Sequence, residues 1–136
     1  MIAYQSDLTG ISAQQLEGFF VGWLDPPSPA THLRILNGSA YVVLALESGR
    51  VIGFVTAISD GVMSAYISLL EVLPGYQGRS VGRELMERVK TLLEGLYMVD
   101  VLCDDDVLPF YQKLGFQTAR GAMIRRYGHQ SGKPTG

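Results

Sequence analysis

The stretch Leu73-Pro74-Gly75-Tyr76-Gln77-Gly78-Arg79-Ser80-Val81-Gly82-Arg83, continued by ELMERVKTLLEGL to Leu96, decides how this chain is organised. Within it Val81, Leu85, Val89, Leu92, Leu93 and Leu96 recur at three- and four-residue intervals, with Arg83, Glu84, Glu87, Arg88 and Lys90 between them. That period predicts an amphipathic helix with one buried face. On its N-terminal side, residues 63–73 are mostly apolar and read as a buried strand. A glycine-rich turn therefore leads from a strand into the first turn of a helix. The N–H groups of that turn have no intrahelical partner, and the helix dipole favours negative charge there. Gly78 and Gly82 allow close approach of a ligand to the backbone, and Arg79 and Arg83 can add charge-assisted hydrogen bonds to a phosphate. The bland alternative is an ordinary connection with solvated arginines. From Arg79 to Lys90 four cations face two anions, an excess of positive charge inside an acidic protein. No Gly-Lys-Ser/Thr follows, so this is not a nucleotide P-loop, and the turn comes too late in the chain for a dinucleotide fold.

Working outward, residues 2–5, 40–47, 50–58 and 63–73 read as successive strands. Asn37-Gly38, Ser48-Gly49 and Asp60-Gly61 supply turns between them, which predicts an antiparallel meander. A helix is expected from about Ser12, with Leu16, Phe19 and Phe20 on one face. A proline-rich loop follows over residues 22–29, then a short helical turn over 31–36. Beyond the long helix, residues 97–103 form a strand reached by a right-handed crossover, hence parallel to its neighbour. Asp104 to Asp106 can cap a short helix through Leu114, and Gly115 suits its C-terminal cap. Residues 116–127 read as one or two final strands. The fold expected is α/β (α+β), one domain over residues 1–127, with a mixed sheet of about six or seven strands flanked by helices. Residues 128–136 lack apolar periodicity and read as a mobile tail.

The chain has 136 residues, 47% of them hydrophobic, enough for one compact core. A net charge of -2 leaves no broad basic face for nucleic acid. No apolar stretch reaches the ~20 residues of a membrane span. The one cysteine, Cys103, and the distant His32 and His129 have no metal-ligand spacing, so no metal is expected, and a lone cysteine fits a reducing, cytoplasmic setting. Cys103 reads as a small buried hydrophobe.

The segment 72–85, with Gln77-Gly78-Arg79-Ser80-Val81-Gly82, resembles the acyl-CoA pyrophosphate loop of the GCN5-related N-acetyltransferases, whose pattern is Gln/Arg-x-x-Gly-x-Gly/Ala. Pro109-Phe110-Tyr111-Gln112-Lys113-Leu114-Gly115-Phe116 is similar to that family's late helix and turn. The resemblance implies the acyl-CoA N-acyltransferase fold, whose fourth and fifth strands splay apart to admit pantetheine. It implies that the main chain of Leu70 and Val72 pairs with the pantetheine amides, and that Gln77, Gly78, Arg79, Ser80, Val81, Gly82 and Arg83 hold the pyrophosphate. Two departures stand out: Ser80 replaces the first glycine of the pattern, and Asp104 replaces an asparagine common at the end of the fifth strand, beside the cofactor.

The activity so implied is transfer of an acetyl group from acetyl-CoA to a primary amine of a small molecule or peptide, by direct attack in a ternary complex. Tyr111 is the expected proton donor to the leaving thiolate, its alternative being a packed core aromatic. Glu71 interrupts an apolar strand and is a candidate base, since burial raises a carboxyl pKa. Asp100 and ordered water are the competing proton acceptors. Trp23 and Leu24 lie where the family builds a wall of its acceptor site, and Trp23 reads equally well as a cover for the core edge. A homodimer formed through the final strands is a reasonable expectation. A second reading, from a different class, is an acyl-CoA-binding sensor without turnover.

Overall fold

The structure is a computed structural model and describes residues 1–134. Five strands form one sheet in sequence order, β1 (Ala3–Gln5), β2 (Tyr41–Glu47), β3 (Arg50–Ser59), β4 (Ser64–Val72) and β5 (Met98–Val101). The first four are antiparallel neighbours and β5 pairs with β4 in parallel. Ser48 and Gly49 both take positive φ, 51° and 75°, the left-handed pair that lets a two-residue turn follow the strand twist. At the next turn the Asp60 carboxylate accepts N–H groups of Val62, Met63 and Ser64, and these bonds hold its pKa below the ordinary value, Met63 contributing most.

Helix α1 (Pro29–Gly38) covers one face of the sheet and α2 (Val81–Leu92) the other, and a short α3 (Leu108–Lys113) stands beyond β5. Buried Val81, Leu85 and Val89 are the core side of α2, as the period requires; Met86 joins them, whereas Leu92, counted in that period, is exposed near the helix end. Its approach to the sheet needs Gly53, where a Cβ would lie 3.1 Å from Leu85 and 3.2 Å from Val81. The end of α3 is a Schellman motif. Phe116 N–H donates to Tyr111 C=O at 3.1 Å, Gly115 N–H donates to Gln112 C=O at 3.0 Å, and Gly115 has φ +95°.

Several expectations change. The helix expected from Ser12 is only a 3-10 turn (Ala13–Leu16), because Gly18 and Phe20 take left-handed conformations and break it, although Phe19 and Phe20 are buried as their apolarity demands. Residues 31–36 belong to the full ten-residue α1, whose start is set by Pro29 at the first position and by the Ser28 side chain accepting Thr31 N–H. The side chains of Asp104 to Asp106 do not cap α3, which has Val107 at that place and no side-chain cap. Residues 117–126 form no strand, so the sheet has five strands rather than six or seven. That segment finds no ladder to join, and Met123 and Ile124 are exposed.

Residues 127–134 are not wholly without structure: Tyr127–His129 form a 3-10 turn, Ser131 is buried, and Gln130 Oε1 accepts Asp25 N–H at 2.9 Å. The last two residues of the expected tail lie outside the described ones. No helix among the described residues is long and apolar enough to cross a membrane.

A histidine carries part of the core. His32 on α1 is 1% exposed and sits among Phe19, Phe20 and Phe54, its ring centroid 4.4 Å from that of Phe54. Neither ring nitrogen has a hydrogen-bond partner, and desolvation lowers its pKa to about 4. A depressed histidine pKa means that the unfolded chain binds more protons between pH ~6.5 and ~4, so stability should fall as pH drops through that window. The loss attributable to His32 should approach about 3 kcal/mol. Denaturant titration of the parent and of His32→Phe across pH 7 to 4 checks this: the variant should show the shallower decline.

Candidate functional site

β5 accompanies β4 only from Ser64↔Met98 to Ile67↔Val101. At that point β4 carries a bulge: Thr56 faces Leu69 and Ala57 faces Ile67, leaving Ser68 unpaired, its hydroxyl 2.8 Å from that of Thr56. Beyond the bulge β4 continues along β3 alone, and a wedge opens between its free edge and the segment after β5. Leu73 N–H donates to Ile52 C=O at 2.9 Å, so by strand alternation the main-chain groups of Leu70 and Val72 point away from β3, into the wedge. The bulge also changes side-chain parity between Ile67 and Leu69.

The wedge holds a cavity of about 550 Å³ lined by Leu70, Glu71, Val72, Tyr76, Gln77, Gly78, Ser80, Val81, Gly82, Arg83, Val107, Phe110 and Tyr111. At its mouth the turn into α2 holds Gly78 at φ 81° and Ser80 at φ 63°. The first helical bond is Glu84 N–H to Ser80 C=O, 3.0 Å, and no N–H from Gly78 through Arg83 has a partner within the described chain. Six consecutive amides at a helix N-terminus form an anion cradle. Gln77 braces it by donating from Nε2 to Val72 C=O at 3.1 Å. Arg83 lines the cavity, whereas Arg79 is not part of its wall and lies over the Tyr76 ring, 5.2 Å from its centroid.

Tyr111 is buried between Phe110 and Phe116, with ring centroids 5.0 and 5.6 Å away. Desolvation, reinforced by nearby Cys103 and Tyr66, pushes its pKa up to about 12. Glu71 is half-buried on the opposite wall. Phe20 N–H donates to both its oxygens, at 2.8 and 3.0 Å, and Val21 N–H donates to Oε2 at 3.3 Å. The carboxylate thus fixes the segment after the first 3-10 turn, where Gly18, Phe20 and Gly22 all have positive φ.

A smaller cavity of about 360 Å³ shares Leu70, Glu71 and Gln77 with the first and extends to Phe20, Val21 and Trp23. The Trp23 ring, tilted against that of Phe20 with centroids 4.8 Å apart, also borders a third space of about 820 Å³ whose lining includes Cys103, Asp104, residues 121–123 and residues 125–127. The geometry therefore brings together Leu70, Glu71, Val72, Gln77, Gly78, Ser80, Val81, Gly82, Arg83 and Tyr111, and sets Trp23 next door. Asp104 lies in the space beyond Trp23 rather than in the wedge. Leu24 is 95% exposed and borders none of these cavities. Asp100 is exposed on β5, and Cys103 is exposed rather than buried. Phe20 and Val21, whose amides hold Glu71, carry no sequence signal because the bond uses backbone. Val107 and Phe110 could have been drawn from the apolar face of α3.

A mixed sheet opened between two parallel strands, with a helix N-terminus at the opening, defines an acyltransferase-type architecture. Residues 8–116 match the model of the acetyltransferase (GNAT) family, and the chain belongs to that family. It is 33% identical over 111 residues to histone acetyltransferase TAP1 of Glycine max, covering 71% of this chain and 47% of that protein. The chain thus spans about half the length of the curated relatives it matches. Among solved structures it superposes with TM-score 0.95 and 51% identity on a protein assigned as an acetyltransferase from Deinococcus radiodurans R1, over 98% of this chain and 94% of the other. AAC(6')-Iy, solved with the bisubstrate analogue CoA-S-monomethyl-acetylneamine, matches over 93% of this chain and 97% of its own with TM-score 0.66 and 18% identity, a likeness of fold.

Ser80 is a side-chain-bearing residue in the conformation glycine adopts freely. Ser80→Gly should stabilise the protein by about 0.5 kcal/mol and Ser80→Val should destabilise it by about 1–2 kcal/mol, read as shifts of the urea midpoint at constant m.

Proposed function

We propose that the protein is an N-acetyltransferase that binds acetyl-CoA in the wedge and passes the acetyl group directly to a primary amine held near Glu71 and Trp23. The observation that carries this reading is the row of unpartnered amides from Gly78 to Arg83 at the mouth of a cavity whose inner wall holds Tyr111. The fit to acetyl-CoA is chemical. Six free donors and Arg83 suit a diphosphate, and the outward main-chain groups of Leu70 and Val72 suit the alternating amides of pantetheine. Val72 C=O already accepts a bond from Gln77, so pairing there proceeds by exchange or through its N–H. Asp104, set apart from the wedge, is left out of this binding role.

When bound, acetyl-CoA supplies an activated thioester: the amine nitrogen bonds to the acyl carbon, the carbon–sulfur bond breaks, the nitrogen sheds its proton, and the sulfur leaves as thiolate. Tyr111 donates a hydrogen bond to the sulfur as its charge develops. With its pKa at about 12, a complete proton transfer to a thiolate of ordinary pKa ~8.5 is uphill by about 5 kcal/mol. Tyr111 therefore acts chiefly as a neutral donor whose bond strengthens in the transition state. Glu71 spends most of its acceptor capacity on Phe20 and Val21. It keeps a lone pair on Oε1 to orient the incoming ammonium, and the proton leaves through water. The reading in which the domain only senses acyl-CoA shares the wedge but gives Tyr111 no task.

Two measurements test this. Acetyl-CoA should raise Tm, and inorganic phosphate at equal concentration should raise it far less. Tyr111→Phe should lower kcat for thiol release with an amine acceptor by about 100-fold while preserving the acetyl-CoA-induced rise in Tm. Because Tyr111 stays protonated below pH ~11, the variant should keep the parental pH profile. Unaltered turnover in the variant would remove Tyr111 from the reaction.

A further inference from the structure

The third space, about 820 Å³, has a charge pattern that the transfer reaction does not use. Its lining includes Arg125 and Arg126 together with Asp104, and Trp23 borders both this space and the cavity that reaches Glu71. Among the described residues neither arginine forms a salt bridge, and the two that exist are on α2. The pattern extends along the chain: residues 107–136 hold five of the eleven Lys and Arg and none of the thirteen Asp and Glu. An acidic protein has thus gathered an anion-free cationic segment beside its acceptor wall. The segment is held there, since Gln130 Oε1 accepts the N–H of Asp25, two residues after Trp23.

Resting on the transferase reading, we propose that the acceptor is an amine carrying a second, anionic group, a carboxylate or a phosphate, which Arg125 and Arg126 engage while the amine points past Trp23 towards Glu71. A guanidinium matches the planar, bidentate acceptor geometry of either anion; among the described residues neither arginine is held by a carboxylate, and one contact, Arg125 Nη1 donating to Ile124 C=O at 3.3 Å, leaves the other N–H groups of the pair for an anion. Asp104, on the same wall, disfavours acceptors whose negative charge is spread over the whole molecule and tolerates one with a separate ammonium. A purely cationic amine meets one carboxylate here, Asp104, against two repelling guanidinium groups. Both arginines are exposed, so the discrimination works in a screened setting and must weaken with salt.

The test uses matched pairs on the intact protein: phosphoethanolamine against ethanolamine, 4-aminobutyrate against butylamine, and glucosamine 6-phosphate against glucosamine. Acetyl transfer is measured at low and high ionic strength, and binding to the CoA-loaded protein is measured by calorimetry. At least one anionic member should exceed its neutral counterpart tenfold or more in kcat/KM, through KM, with the ratio shrinking in 0.5 M salt. The phosphate and carboxylate arms show which anion is taken. Arg125→Ala with Arg126→Ala should bring the ratio towards one, and Arg125→Lys with Arg126→Lys should restore part of it. Arginine-dependent binding of an anionic member without turnover would uphold the anion subsite and sink the transferase reading. Turnover with no anionic preference, or with a preference indifferent to both arginines, would overturn the inference and leave that reading intact. If no anionic member binds or reacts, the inference falls as well.

Discussion

The parting of β4 from β5 at Ser68 is the constraint on which the site depends. A sheet edge is a row of donors and acceptors that must be paired or hydrated. Here β5 satisfies that edge for four residue pairs, and the bulge then carries β4 onward alone. The outward main-chain groups of Leu70 and Val72, of which Val72 C=O is held by Gln77, are therefore not at an outer edge but in a cleft walled by Phe110 and Tyr111. Such an edge favours a slender ligand with amides of its own. The same bulge switches side-chain parity, which puts Glu71 where it reaches the Phe20 amide.

Glu71 links the cleft to the rest of the core. Its carboxylate receives two backbone N–H groups from a segment with three left-handed residues, a conformation the chain would not keep unaided. Under that segment lies the ring of His32, between Phe19, Phe20 and Phe54. The wall formed by this segment is thus held by the Glu71 carboxylate and by aromatic packing on the His32 ring. Charging the imidazole or removing the carboxylate acts on the same few residues, which is how a core position remote from the chemistry can govern the shape of the acceptor side.

The sequence made most of this legible where local periodicity and burial agreed. The α2 period, the Ser48-Gly49 and Asp60-Gly61 turns and the Gly115 cap are each set by residues close in sequence, and all were readable. Phe19 and Phe20 read as helical because their spacing is helical, yet their burial is reached through left-handed backbone at Gly18 and Phe20, which apolarity does not report. Residues 116–127 read as strand, yet 117–126 find no neighbour to pair with, and pairing is not a local property. At the site, the amide cradle was legible from glycine spacing. The grip on Glu71 was not, because backbone N–H groups some fifty residues away carry no side-chain signature. The cationic segment was present in the charge order all along. It gained meaning only when the fold set Arg125 and Arg126 in the lining of one cavity with Asp104.

The order of the cavities also bears on how a transfer would proceed. The wedge and the space towards Trp23 share Leu70, Glu71 and Gln77 as common wall, so a donor in one and an amine in the other can be present together, separated by a side chain rather than by a layer of protein. A covalent relay would instead need a nucleophile beside the thioester. The one cysteine, Cys103, is exposed and borders the space beyond Trp23, and Ser80, the only serine lining the wedge, belongs to the anion cradle. Among the described residues neither side chain is hydrogen-bonded to a base, the contact by which such chemistry activates its nucleophile. Under the proposed function, simultaneous binding and direct attack is therefore the route that this arrangement of walls favours, with proximity supplying much of the acceleration.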